Sequence, residues 1–303
     1  MDWLFTELEA SALFAWEETL SNGFYVFSLA FLVFEFLRYR FRRQLTWLLT
    51  GDTLTNIVTQ LMFAAVTFVV FATFYLSTLA YFHEFAVFNI SISWATVGIA
   101  IVAADLAYYW EHRFCHRVAL AWATHTVHHS SPHFNISVAY RFGPMDAFWP
   151  VLFHVPLVVL GFDPFVVGFA ELFVLLYQTP LHTESIAKLP APIEAVFNTP
   201  SHHRVHHGVN PQYIDSNYAG MLIIWDRLFG TFAEEREPVQ FGITEPVFSV
   251  NPLTVFCHGF VRLGRRMLAT RGFWRKLRLS LMPPGRNPAR LGSRATITQK
   301  GLA

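Results

Sequence analysis

Apolar residues in this chain gather in five long stretches, at 20–37, 57–82, 92–109, 147–160 and 164–181, separated by shorter polar segments. The second is long enough to cross a bilayer, which takes about 20 residues. The fourth and fifth are shorter, and Gly161-Phe162-Asp163-Pro164 between them joins a turn to a helix start. They are expected to form a tight helical hairpin, either crossing the membrane or buried without crossing it fully. No repeat of solenoid type is present. The pattern predicts an all-α fold, a polytopic integral membrane helical bundle.

Composition supports that reading. The 303 residues are 53% hydrophobic and 17% aromatic, and only 14% are charged, against roughly a quarter in soluble domains. Mean hydropathy is +0.37. A net charge of +1 singles out no partner. Cys115 and Cys257 make neither a disulfide framework nor a cysteine metal motif, and Cys115 is expected to be a small buried side chain. The acidic N-terminus (Asp2, Glu7, Glu9, Glu17, Glu18) lacks the basic region and cleavage site of a signal peptide, so the chain is taken as mature throughout.

Charge placement predicts the topology. Lys and Arg occur only at 38–43, within 113–141, and from 188 onward. The positive-inside rule assigns all three regions to the cytoplasm. Parity agrees, because three spans and a returning hairpin leave these segments on one face. Residues 258–280 mix Arg and Lys with Phe, Leu and Trp at helical spacing, as in an interfacial helix on anionic lipid or a solvated cytoplasmic helix. From Pro283 the chain is expected to be disordered. Three regions follow: N-terminal spans at 1–110, a histidine-rich catalytic region at 111–235 that includes the hairpin at 145–181, and a basic cytosolic segment with its tail at 236–303.

Three histidine clusters carry the candidate chemistry. The first is His112 and His116, the second His125, His128 and His129, and the third His203, His206 and His207. Residues three and four apart share a helix face, so each cluster is expected to project its imidazoles in one direction. Pro200-Ser201 before the third cluster and Gly208 after it mark a short helix. His182, at the end of the fifth stretch, is the best additional ligand. Nine imidazoles would supply two metals with four or five nitrogens each. Burying them without a metal would leave many polar nitrogens without partners. Imidazole suits Zn, Cu, Fe and Ni alike, so the ligands leave the metal open.

Several side chains are expected to surround the ligands. Asp105, Tyr108, Tyr109, His112 and His116 form a single stripe, and Asp105 is expected to orient a ligating imidazole through its free N–H. Tyr109, Asn135 and His202 join this supporting set, His202 because it points about 100° away from His203 on a helix. His83, His133, His154 and His258 stand alone.

The pattern H-x-x-x-H, H-x-x-H-H and a late H-x-x-H-H after a hydrophobic hairpin resembles the fatty acid hydroxylase/sterol desaturase superfamily of membrane non-haem di-iron enzymes. Supporting residues are Asp105-x-x-Tyr108-Tyr109-Trp110-x-His112-Arg113, Trp122-x-x-His125 and NYAGMLIIWDRLFGTF at 217–232. The resemblance covers roughly 105–232. It implies two iron ions that activate O2 on the cytoplasmic face, and oxidation of a lipid C–H bond, foremost the ether-linked carbon of an alkylglycerol lipid. It also implies an external electron donor, either tetrahydrobiopterin or a ferredoxin- or cytochrome-type carrier; nucleic acid is no partner. Sterol, carotenoid or acyl-lipid hydroxylation or desaturation is the alternative. A non-enzymatic metal carrier would need ionisable residues along a mid-membrane path, and the mid-span regions offer almost none. No Ser-His-Asp set, phosphate loop or nicotinamide fingerprint competes, and the E-x-x-H pairs of soluble di-iron bundles are absent.

Overall fold

The computed structural model describes residues 10–285 together with Thr6 and Leu8. The first helix, α1 (Ala10–Phe41), is followed by α2 (Trp47–Val70), a π-helical turn (Phe71–Tyr75) and α3 (Leu76–His83). Next come α4 (Trp94–Arg117), α5 (Ala119–His129), the hairpin α6 (Pro150–Leu160) and α7 (Pro164–Gln178), and the short α8 (Ala191–Val196), α9 (Pro200–His206) and α10 (Ile224–Phe229). The described chain ends with α11 (Pro252–Ala269) and α12 (Phe273–Leu281). No strand forms among the described residues; Gly208 and Phe241 make an isolated bridge.

Among the described residues, three helices are long and apolar enough to cross a membrane: Ala12–Phe41, Trp47–His83 and Pro164–Leu181. In the first two, only 11% and 12% of the most apolar window is buried inside the protein, so their Phe, Leu and Val side chains face outward. The third is half buried. The expected span at 92–109 becomes part of α4, which is not among the three. Its second half, with Asp105, Glu111, His112 and Arg113, lowers its hydropathy, and its small residues suit close packing: Val97, Ala100, Ala104 and Ala107 share one core with Val166, Val167, Ala170 and Val174 of α7.

Helix boundaries follow local chemistry. Ser93 and Thr96 form a reciprocal capping box at the start of α4. The hairpin turn forms where the sequence places it. Gly161 closes α6 at φ +116°, where a Cβ would lie 2.1 Å from the Phe88 carbonyl oxygen. Asp163 then caps α7, accepting from Phe165 N at 2.8 Å.

Two buried polar networks tie the outer helices to the histidine-bearing ones. Arg141, 1% exposed, donates to Asp52 Oδ1 at 2.9 Å, Asn56 Oδ1 at 2.6 Å and Ser130 Oγ at 2.9 Å. Glu35 of α1 accepts from Ile136 N at 2.8 Å and from the Thr183 hydroxyl. Removing one partner from such a buried set costs about 3–5 kcal/mol. The basic segment at 258–280 is not one helix: Gly272, at φ +91°, separates α11 from α12. Nor is α11 merely superficial. Gly259 lets it pack so closely on α5 that a Cβ would lie 2.0 Å from the Ala123 carbonyl oxygen. The tail beyond 285, expected to be disordered, lies outside the described residues.

Candidate metal centre

The ends of four helical segments converge on one place. His112 and His116 occupy the last two turns of α4, and His125, His128 and His129 the last turns of α5. His203 and His206 lie on α9, which His207 terminates, and His182 follows the 3-10 turn after α7. All nine imidazoles gather into two groups, within each of which the candidate ligand nitrogens lie within 4.8 Å of one another. His112, His116, His125, His129 and His206 form the first group; His128, His182, His203 and His207 form the second. The second and third clusters therefore do not each point one way. Adjacent residues diverge by about 100° on a helix, so His128 and His129 enter different groups, as do His206 and His207.

Hydrogen bonds fix the orientation of four rings. His112 Nδ1 donates to the Tyr218 carbonyl at 2.9 Å, His206 Nδ1 to Ser216 at 2.9 Å, His182 Nδ1 to Gln178 at 3.0 Å, and His128 Nδ1 to Arg141 at 3.3 Å. A carbonyl only accepts, so each Nδ1 carries the proton and each Nε2 keeps its lone pair. Yet His128 Nε2 and His182 Nε2 face each other at 3.2 Å. Two lone pairs at that distance repel unless a cation lies between them. Nε2 of His207 and Nδ1 of His203 are buried with no hydrogen-bond partner among the described residues. This donor set fits metal ions.

Burial also holds the imidazoles neutral, the form that ligates. It pushes His182 down to about 3 and His206 to about 4, in part against backbone hydrogen bonds that favour the charged form. His125, His128, His129, His203 and His207 lie well below the ordinary histidine range, again through burial first and neighbouring imidazoles second.

The supporting groups differ partly from the sequence expectation. Asp105 holds no imidazole. Its carboxylate accepts from Met221 N at 2.6 Å, Leu222 N at 3.1 Å and Trp225 Nε1 at 2.8 Å, anchoring the 221–225 segment to α4. Asp226 orients a ligand at one remove: it accepts from Tyr218 N and Ala219 N, both at 2.8 Å, and so fixes the carbonyl that holds His112. Asp226 stands within the quoted 217–232 motif, but nothing in its spacing tied it to His112. Tyr109 bonds Thr231 Oγ1 at 2.9 Å and stacks on Phe229, away from the nitrogens. His202 is buried but turned away from both nitrogen groups, its Nε2 3.0 Å from Glu194 Oε2. Asn135 caps the turn at 136–140 by accepting from Ser137 N at 3.0 Å.

Two openings reach the nitrogens. An apolar cavity of about 390 Å³ ends on His112 and His125 and runs out between α1 and α7 past Phe14, Phe165 and Leu175. A more polar cleft of about 320 Å³ touches His116, His129, His206 and His207 from another side and includes Asp215 and Arg262. A long apolar molecule and a small polar one could thus approach by separate routes. Sequence reading missed the acids of the apolar cavity: Glu111, Asp146 and Glu171, together with the exposed Glu17. Glu171 lies in the middle of an apolar span, which is itself a signal of function.

Comparisons with known proteins agree with this geometry. A fatty acid hydroxylase family profile matches residues 97–231. The chain is 44% identical over 206 residues to alkylglycerol monooxygenase of Danio rerio, covering 67% of this chain and 46% of the relative. It is 43% identical over 191 residues to alkylglycerol monooxygenase of Homo sapiens, covering 63% and 42%. An ornithine lipid hydroxylase of Rhizobium tropici is 30% identical over 176 residues, covering 56% and 52%. The chain thus spans just under half the length of the two alkylglycerol monooxygenases. No solved structure matches it. The nine clustered histidines all fall within residues 97–231, the segment that is similar to the fatty acid hydroxylase family.

Proposed function

We propose that this chain is a membrane-bound, oxygen-dependent lipid hydroxylase whose substrate is a glycerol ether lipid. One observation carries the reading: an apolar cavity between helices ends directly on two of nine clustered imidazoles, in a chain similar to alkylglycerol monooxygenases.

The nine histidines would hold two iron ions, which when bound supply reductive activation of O2 and oxidation of an unactivated C–H bond. Everything else falls to the chain itself. The carbonyls of Tyr218, Ser216, Gln178 and Arg141 hold four rings with Nε2 unprotonated. The cavity walls exclude water and aim a lipid chain at the His112 and His125 end. The carbon beside an ether oxygen is favoured because the oxygen lone pair stabilises electron deficiency there. The balance is one ether lipid, O2, two electrons and two protons, giving the hydroxylated ether and water. That hemiacetal then breaks its C–O bond to release a fatty aldehyde and the free glycerol hydroxyl. The electrons come from a reduced pterin such as tetrahydrobiopterin, or from a ferredoxin- or cytochrome-type carrier. We place the site on the cytoplasmic face from the distribution of Lys and Arg.

The test is purified, iron-loaded protein in detergent with 1-O-alkylglycerol, O2 and each donor class in turn. Fatty aldehyde release with one donor is the expected result. If the ether lipid stays intact while a sterol or acyl lipid gains a hydroxyl or a double bond, the ether assignment is overturned.

A further inference from the structure

Carboxyl groups are costly in an apolar cavity, yet Glu111 and Glu171 both line the one that ends on His112 and His125. Each is 8% exposed, and Oε2 of each has no hydrogen-bond partner among the described residues. His154 Nε2 lies 3.3 Å from Glu171 Oε2, but without hydrogen-bond alignment. His154 Nδ1 is engaged by the Tyr75 hydroxyl at 2.7 Å. Other buried acids of this chain are saturated. Asp105, Asp226 and Glu35 each accept from backbone N–H groups and side chains together, and Asp146, which lines the same cavity, accepts from Gly143 N at 2.6 Å. A buried polar atom left without a partner costs about 1–3 kcal/mol. A leucine at position 111 would remove that cost, which is the mark of a side chain that serves a ligand; at position 171 it would also take away the carboxylate beside His154 Nε2.

Position tells which part of the ligand these acids meet. Glu111 directly precedes His112 on α4, and both line the cavity, so a group bonded to Glu111 sits beside the metal-binding nitrogens. Toward Phe14, Phe165 and Leu175 the lining is mostly apolar, and its acid there, Glu17, is exposed rather than buried. A cationic group is disfavoured next to two metal-binding clusters, which leaves neutral hydrogen-bond donors. We propose that Glu111 and Glu171 receive the free hydroxyls of the lipid's polar end. They make the cavity selective for lipids with hydroxyl groups a few bonds from the oxidised carbon, while the alkyl chain trails out between α1 and α7. The inference rests on the lipid hydroxylase reading and narrows its substrate class.

The experiment measures binding rather than turnover. Full-length, metal-loaded protein in detergent micelles is titrated with a 1-O-alkylglycerol brominated on its chain, and separately with its 2,3-di-O-methyl derivative. Quenching of tryptophan fluorescence reports occupancy, since Trp149 lines the cavity. The two lipids share chain and ether oxygen; the derivative lacks both hydroxyl donors and carries two added methyl groups, so the loss of preference in the Glu111 variant separates hydrogen bonding from bulk. Wild type should bind the diol at least about tenfold tighter, the order expected for one or two hydrogen bonds. Glu111→Leu and Glu171→Leu should bring the ratio within about twofold while metal content holds, and the melting temperature of Glu111→Leu should stay equal or rise. Glu111→Gln, which keeps an acceptor oxygen, should restore much of the preference. A wild-type ratio near one, or a ratio that survives Glu111→Leu, overturns the assignment; the wild-type ratio alone decides if the leucine variants do not fold. Binding is read without oxygen or reductant, so its failure leaves hydroxylation standing. Selective binding with no oxidation of the bound lipid would instead discard the activity and keep the recognition.

Discussion

The imidazoles of His129 and His207 stack with ring centroids 4.3 Å apart and planes 23° from parallel, although the two residues belong to different nitrogen groups. Their rings bring into contact two nitrogen groups that could each hold a metal ion. His129 Nε2 also lies 3.2 Å from His116, His125 and His206 Nε2, and His203 Nε2 lies 2.9 Å from His182 Nε2. Two ions held there would be near neighbours, which is the arrangement that joint O2 chemistry needs.

Metal content follows directly. Protein purified anaerobically and reconstituted with ferrous iron should hold two equivalents per chain by elemental analysis. His203→Ala should leave about one, since it breaks the four-nitrogen group and spares the other. His83→Ala should keep both. Zero or one equivalent in folded wild type would rule out a dinuclear centre.

Asp226 should act on metal affinity without touching metal. Its carboxylate fixes Tyr218 and Ala219, and the Tyr218 carbonyl orients His112. Burial also pushes this carboxyl up to about 6. Asp226→Ala strips acceptors from two backbone N–H groups and the Thr231 hydroxyl, and should cost roughly 2–4 kcal/mol. It should also weaken iron binding about 10–100-fold, the usual effect of losing a group behind a ligand. Asp105→Ala should lower melting temperature comparably but disturb chelator competition less, because Asp105 holds the neighbouring 221–225 segment. Equal effects of both variants on metal affinity would refute the link through Tyr218.

Much of this site was legible because its chemistry repeats locally. The spacing of His112/His116, His125/His128/His129 and His203/His206/His207 is a short-range signal, and so is the Gly161–Pro164 hairpin turn. What failed was long-range. Whether Asp105 meets an imidazole or a backbone N–H is decided by how the 221–225 segment folds back over α4, which no local pattern encodes. The split of neighbouring histidines between two groups depends on helix rotation against α9. Mean hydropathy made α4 a span because Ala and Val are apolar, but small side chains serve helix packing as well as lipid contact.

Topology can be tested with single cysteines in a background lacking Cys115 and Cys257. Cysteines replacing the exposed Arg40 and Arg117 should be labelled from the cytoplasmic side, and one replacing the exposed Glu84 from the opposite side. Labelling of positions 84 and 117 from the same side would refute the orientation proposed for the site.

The last prediction concerns pH and a histidine outside the metal groups. His258 lies on α11, 6% exposed, with Nδ1 2.6 Å from the Val255 carbonyl and Nε2 with no partner among the described residues. Burial, aided by the charges of Arg262 and Arg141, lowers its pKa from 6.5 to about 4, although the Val255 carbonyl works the other way. The sign follows from linkage. Between those values the unfolded chain binds a proton that the folded chain does not, so stability falls as pH drops through 6.5 and is unaffected above it. At pH 5 the loss should be about 2 kcal/mol, approaching about 3 kcal/mol near pH 4. The ligand histidines add slopes of the same sign, so the informative quantity is the difference between wild type and His258→Gln. The melting temperature of His258→Gln relative to wild type should stay constant from pH 8 to about 6.5 and rise steadily below that. A difference that does not change between pH 7.5 and 5 would show that His258 is not held neutral by the packing of α11 on α5.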